Sequence, residues 1–119
     1  MPKLAREDLT PYAVDGYRCW ETDWEGWTVS VEKVHADVDV TEQFSAYPGG
    51  GCQCQHWGYV ISGVSHYQFA DRTETYRAGD FYYLPPGHSP RHEAGTEWVC
   101  FSPTEAHGQT QRLARKQGS

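Results

Sequence analysis

The sequence predicts an all-β fold, a single sandwich or barrel. Short segments alternate apolar and polar residues with a period of two. Turn residues recur about every eight to twelve positions. No segment sustains an apolar period of about 3.6 residues, apart from a short helical pattern near 110–116. The 119 residues suffice for one core.

Taken in order, residues 1–18 are polar and interrupted by Pro11 and Gly16, which suggests a short arm lying over the barrel. Regular structure is expected to begin between Trp20 and Trp27. We place the arm at 1–25, the barrel at 26–103 and a tail at 104–119. From Thr28 to Val40 the pattern alternates, but its parity changes between Val31 and Val34, so a bulge or a turn is expected there. Pro48-Gly49-Gly50-Gly51 breaks the chain. Cys52 to Ser62 reads as a strand ending at Gly63, and Val64 to Ala70 as its hairpin partner. Asp71-Arg72 turns the chain into Thr73–Arg77, Gly79-Asp80 into Phe81–Leu84, and Pro85-Pro86-Gly87 turns it again. Glu97–Phe101 is the last expected strand.

Composition excludes several roles. Aromatic residues make up 14% of the chain, too many for a disordered protein. The formal net charge of −6 argues against a nucleic-acid partner, because phosphate attraction needs a basic footprint. The one basic cluster, Arg112, Arg115 and Lys116, reads as a solvated terminus. No apolar run reaches membrane-spanning length, and Met1 to Thr10 lacks an apolar signal core, so a cytoplasmic protein without a membrane partner is expected. In a reducing compartment the cysteines (Cys19, Cys52, Cys54 and Cys100) are expected to be buried, catalytic or metal-bound, although an even count also permits two disulfides.

The chemistry concentrates in Cys52-Gln53-Cys54-Gln55-His56. On a strand Cys52, Cys54 and His56 face one way, with neighbours about 6.6 Å apart. Two such side chains can share a metal ion. All three can do so if the strand bends, which the glycines at 49–51 permit. Thiolate and imidazole together favour zinc or copper over magnesium or calcium. The competing reading is that the cysteines are small buried apolar residues. His88 and His92 follow the Pro-Pro-Gly turn with equal parity, and either can complete the site. His66 reads as a satisfied core or surface residue, and His35 and His107 as solvent-facing. Trp57, Tyr59 and Ile61 occupy the face opposite the cysteines. A face this apolar needs cover, from the arm or a second subunit.

Gly79-Asp80-Phe81-Tyr82-Tyr83-Leu84-Pro85-Pro86-Gly87 resembles the second motif of the cupin superfamily, and His56 to Gly63 resembles the end of the first. CxCxHWGYV, YYLPPGH and FSPTE together resemble small bacterial stand-alone cupin proteins. The resemblance covers about residues 26–103 and implies a double-stranded β-helix, the jelly-roll barrel, with a metal-centred pocket. The usual ligands are not all present. The first-motif histidines fall on Gly50 and Cys52, the glutamate on His56, and the second-motif histidine on Pro90, flanked by His88 and His92.

We expect one divalent transition metal ion, zinc first, with copper or iron as alternatives. It would be held by Cys54, His56 and His88, with Cys52 as fourth ligand and His92 as a substitute. The expected partners are a small-molecule ligand or substrate and a second copy of the chain. Three functions follow: a metal-dependent enzyme, a non-catalytic metal or ligand-binding protein, and a metal-free structural cupin.

Overall fold

The computed structural model describes residues 3–110. Its strands are β1 (Thr10–Val14), β2 (Tyr17–Trp24), β3 (Trp27–Val34), β4 (Val38–Asp39), β5 (His56–Ser62), β6 (Val64–Gln68), β7 (Thr73–Arg77), β8 (Phe81–Leu84), β9 (Ser89–His92) and β10 (Glu97–Pro103). A 3-10 turn spans Arg6–Asp8, a short helix α1 spans Thr41–Ser45, and residues 104–110 are helical. Most of the helical pattern expected near 110–116, with the basic cluster Arg112, Arg115 and Lys116, lies outside the described residues. No described helix is long and apolar enough to cross a membrane.

The strands form two antiparallel sheets, β1-β2-β3-β10-β5-β8 and β4-β9-β6-β7. They face each other across a cavity. Alternation decides which side chains enter it. On β8, Tyr82 and Leu84 point inward while Phe81 and Tyr83 point out. Val34, Val60, Tyr67 and Trp98 join Tyr82 and Leu84 in the core.

The structure corrects the sequence reading in five places. Residues 10–24, expected within the arm, form a hairpin that continues the larger sheet, with Tyr12 opposite Cys19. The parity change near Val31 is not a bulge. β3 pairs with β2 without interruption, from Tyr17 opposite Val34 to Trp24 opposite Trp27. Thr28 and Ser30 are the buried face of β3, and the half-exposed Val29 and Val31 look outward. Residues 41–45 form α1, too short for periodicity to show. β5 and β6 do not pair with each other. β5 joins β10 and β8, the chain crosses sheets at Gly63, and β6 joins β7 and β9. The strand expected from Cys52 begins at His56.

Trp57, Tyr59 and Ile61 lie on the outer face, opposite the inward His56, Gly58 and Val60. They adjoin Phe81, Tyr83, Phe101 and Trp27 in one aromatic surface, with Trp57 against Tyr83 at 4.6 Å and Tyr59 against Phe81 at 4.7 Å.

Candidate metal centre and cavity

All four cysteines are buried free thiols, so neither disulfide permitted by the even count forms. Cys52 is placed by backbone contact with the Pro-Pro-Gly turn. Its amide donates to the His88 carbonyl at 2.7 Å, and the Gly87 amide donates to its own carbonyl at 2.7 Å. Gly51 makes this approach possible. It sits at φ +91°, and a Cβ there would lie 2.7 Å from the Gly87 carbonyl carbon. The sequence marked these glycines as the point where the chain bends, and here the bend sets Cys52 beside His88.

His56 enters from the start of β5. Its Nδ1 lies 2.6 Å from Ser102 Oγ on β10, and its Nε2 lies 4.0 Å from Cys52 Sγ. His88 Nδ1 donates to the Pro85 carbonyl at 2.8 Å, which leaves Nε2 with its lone pair free to coordinate. One donor atom from each of Cys52, His56 and His88 lies within 4.8 Å of the others. Donors around a tetrahedral zinc ion sit about 3.5 Å apart, so a modest contraction closes the set.

Burial pushes the pKa of His56 down to about 3 and of His88 down to about 4, so both imidazoles are neutral and ready to coordinate. Burial pushes the Cys52 thiol up, with the Thr110 hydroxyl at 3.4 Å pulling the other way. An ion binding there must displace the thiol proton.

Cys52, expected as the fourth ligand, joins His56 and His88, whereas Cys54, expected as one of the three principal ligands, is not brought to this point. Residues 53–55 are not strand, so the alternation that would align Cys54 with its neighbours does not operate. The Cys54 thiol instead lies 3.3 Å from the Gln55 carbonyl, and burial pushes its pKa up to about 12. His92 also lies apart from the cluster. Its Nδ1 meets Ser65 Oγ at 2.7 Å and its ring stacks on Trp98 at 4.0 Å. His66 is satisfied by Glu93 and Thr75, and His35 is exposed. His107, expected in solvent, is half-buried and pairs with Glu21 at 3.2 Å. Burial alone would lower its pKa, but the Glu21 bond and the charges of Glu21, Glu32 and Asp23 together outweigh burial and raise it.

Burial holds His92 neutral, with a pKa of about 3 against an ordinary value near 6.5. The unfolded chain therefore takes up a proton that the folded chain refuses. Stability falls as pH drops from about 6.5 toward 3, by up to about 1.4 kcal/mol per pH unit for this residue. The melting temperature should decline on acidification, and His92→Gln should flatten that decline. A melting temperature unchanged between about pH 7 and about pH 5 would contradict this.

The cluster opens on a cavity of about 670 Å³ between the sheets. Alternation brings three inward rows of the large sheet to it. Asp23, Thr28, Ser102 and His56 share one row, Glu21, Ser30 and Cys100 the next, and Cys19, Glu32 and Trp98 the third. Sequence reasoning missed Glu21 and Glu32. The signal was present, since Thr28, Ser30 and Glu32 alternate with valines, but valines read as the core face.

No protein-family model matches the chain, and no curated protein matches it. Solved structures do match. The polyketide cyclase RemF from Streptomyces resistomycificus superposes at TM-score 0.60, with 16% identity, over 87% of this chain and 79% of that one. An RmlC-like cupin from Shewanella frigidimarina gives 0.58 and 14%, over 87% and 91%. Pac13, a nucleoside dehydratase, gives 0.56 and 15%, over 87% and 82%. A Streptomyces Pac13 variant is similar in a structure with uridine. Two facing antiparallel sheets, a cavity between them, and these superpositions establish that the chain has the cupin fold.

Proposed function

We propose that the chain binds one divalent transition metal ion, zinc first, through Cys52, His56 and His88. The ion serves an enzyme reaction on a small organic molecule held in the cavity. The observation carrying this reading is the convergence of one thiol and two neutral imidazoles at a point where Cys52 and His56 line the cavity. This donor set suits zinc or copper and does not suit magnesium or calcium. Three protein donors match the pattern of catalytic zinc, which keeps a fourth position open, whereas structural zinc is closed by four. When bound, such an ion acts as a Lewis acid toward a substrate oxygen or water. Ser102 and the Pro85 carbonyl orient the two imidazoles. Tyr67, Tyr82 and Trp98 wall the cavity with apolar surface. The similar structures named for a cyclase and a dehydratase support small-molecule chemistry in such a barrel.

Elemental analysis of protein purified without chelator is expected to give about one zinc per chain. In the cobalt(II)-substituted protein the visible spectrum should shift on adding imidazole, because an open position accepts it. Protein with no transition metal and no zinc affinity by calorimetry would refute the reading. Metal with a spectrum indifferent to imidazole would favour the non-catalytic alternative.

The chain also pairs with a second copy through the outer aromatic face. Phe81 is 84% exposed and Trp57 51%, beside Tyr83 and Phe101 on adjoining strands. A contiguous patch of this kind marks an interaction surface on a soluble protein. Light scattering at micromolar concentration should report a dimer mass, and Trp57→Glu combined with Phe81→Glu should report a monomer. A monomeric wild type would refute the pairing.

A further inference from the structure

The cavity has a second polar station that the metal reading does not use. Glu32, on β3, turns its carboxyl group into the space between the sheets. Tyr17 Oη donates to its Oε1 at 2.5 Å. Ser30 Oγ and Trp98 Nε1 donate to its Oε2 at 3.0 and 3.1 Å. All three donors are neutral, so none of them compensates a carboxylate charge taken out of water. Burial accordingly raises the Glu32 pKa, against the pull of the Tyr17 and Ser30 bonds.

The surroundings extend the same bias. Glu21 and Asp23 line the cavity one and two rows away, with Glu21 paired to His107 and Asp23 accepting from Thr28. No lysine or arginine lies among the described lining residues. The remaining wall includes Tyr67, Tyr82 and Trp98. His107 is the one lining histidine whose pKa is raised, and it is taken up by Glu21, so the carboxyl groups of Glu21, Asp23 and Glu32 outnumber it. A carboxyl group beside aromatic rings, in a cavity with this acidic excess, recognises an organic cation. The carboxylate meets the charge and the rings receive the apolar remainder. At the Glu32 end an anionic ligand would meet an excess of carboxyl groups and lose its hydration without return.

We propose that the ligand of this cavity carries an ammonium group, bound at Glu32 with its aromatic neighbours, while the rest of the molecule extends toward Cys52, His56 and His88. The proposal rests on the reading of the cavity as a small-molecule site and names the class of molecule. The two stations are set apart along the barrel. Trp98 and Ser102, which serve Glu32 and His56 respectively, are four residues apart on β10, about 13 Å at the usual strand rise. The occupant is therefore bifunctional, with a cation at one end and an oxygen or nitrogen donor at the other.

The test uses benzylamine, benzyl alcohol and benzoate, which share a ring and differ in charge. Each is titrated calorimetrically near neutral pH into the zinc-loaded chain and into the chelator-treated chain. Benzylamine should bind in both, and Glu32→Gln should weaken it about tenfold. Benzoate should not bind the chelator-treated chain. Glu21→Gln is the second variant should Glu32→Gln fail to fold, and is expected to weaken benzylamine by a smaller factor. Benzyl alcohol or benzoate binding the chelator-treated chain as tightly as benzylamine overturns the proposal, as does an absence of benzylamine binding. Benzylamine binding that needs zinc and ignores Glu32→Gln identifies the amine as a metal ligand. That overturns the ammonium site and leaves the metal reading intact. Glu32-dependent benzylamine binding in protein that takes up no zinc does the reverse.

Discussion

Cys52→Ser and His88→Ala are each expected to reduce zinc from about one per chain to background, with affinity falling more than the 10–100-fold typical of losing an outer-shell partner. The reason is donor count. Three atoms converge on the site, and two do not hold zinc against water. Serine in place of Cys52 keeps the shape and loses the soft thiolate. Ser102→Ala should be milder, about 10-fold, since it removes the group that orients His56 and no donor. Binding must also expel the Cys52 proton, while the imidazoles stay neutral down to about pH 4 for His88 and lower for His56. Affinity should therefore rise about tenfold per pH unit below the thiol pKa and be lost on acidification. Cys54→Ser separates the sequence and structural readings. Its thiol is outside the converging set, so metal content should hold, as it should in Cys19→Ser and Cys100→Ser. Loss of zinc in Cys54→Ser, with retention in Cys52→Ser, would show that the site is built from the other cysteine.

Gly58→Ala is expected to destabilise the barrel by about 3 kcal/mol or more. Gly58 faces inward on β5, between His56 and Val60. A Cβ there would lie 2.2 Å from the Val99 carbonyl oxygen and 2.3 Å from the Tyr82 hydroxyl. The first is backbone of the neighbouring strand, in the ladder that pairs Gly58 with Cys100. The second belongs to a ring stacked on Tyr76 at 5.3 Å and close to Tyr67 in the core. Neither neighbour has room to withdraw. Denaturant melts should show a large drop in midpoint, or the variant should fail to fold. A midpoint within error of wild type would mean that β5 and β10 separate more easily than their pairing suggests. Because Gly58 lies two residues from His56, the same variant should also weaken zinc binding.

β5 carries His56 and Gly58, and it shows how far the sequence could be read. Its alternation set Trp57, Tyr59 and Ile61 against His56 and Val60, and the structure places them on opposite faces. The turn at Asp71-Arg72 correctly joined two paired strands, β6 and β7. Cys52, His56 and His88 were legible as metal-binding types, and the structure brings their side chains together. Cys54 was assigned by extending strand parity through 53–55, where the backbone leaves the strand. The β5–β6 pair was assigned because consecutive strands commonly form hairpins, but Gly63 sends the chain to the other sheet. Glu32 was passed over because its valine neighbours looked like core.

The sequence by itself determined local properties: period-two strands, the turns that end them, and a thiol and imidazoles at spacings able to meet. Each depends on residues close along the chain, where sterics and hydrogen bonding act without regard to the rest of the fold. Only the tertiary structure decided which face of each strand is inside. Whether Val29 or Ser30 points inward depends on what stands opposite, and here that is a cavity lined by Tyr67 and His92 from the second sheet. A separate contact, across 36 residues, sets Cys52 against His88 through two backbone hydrogen bonds that no local pattern encodes.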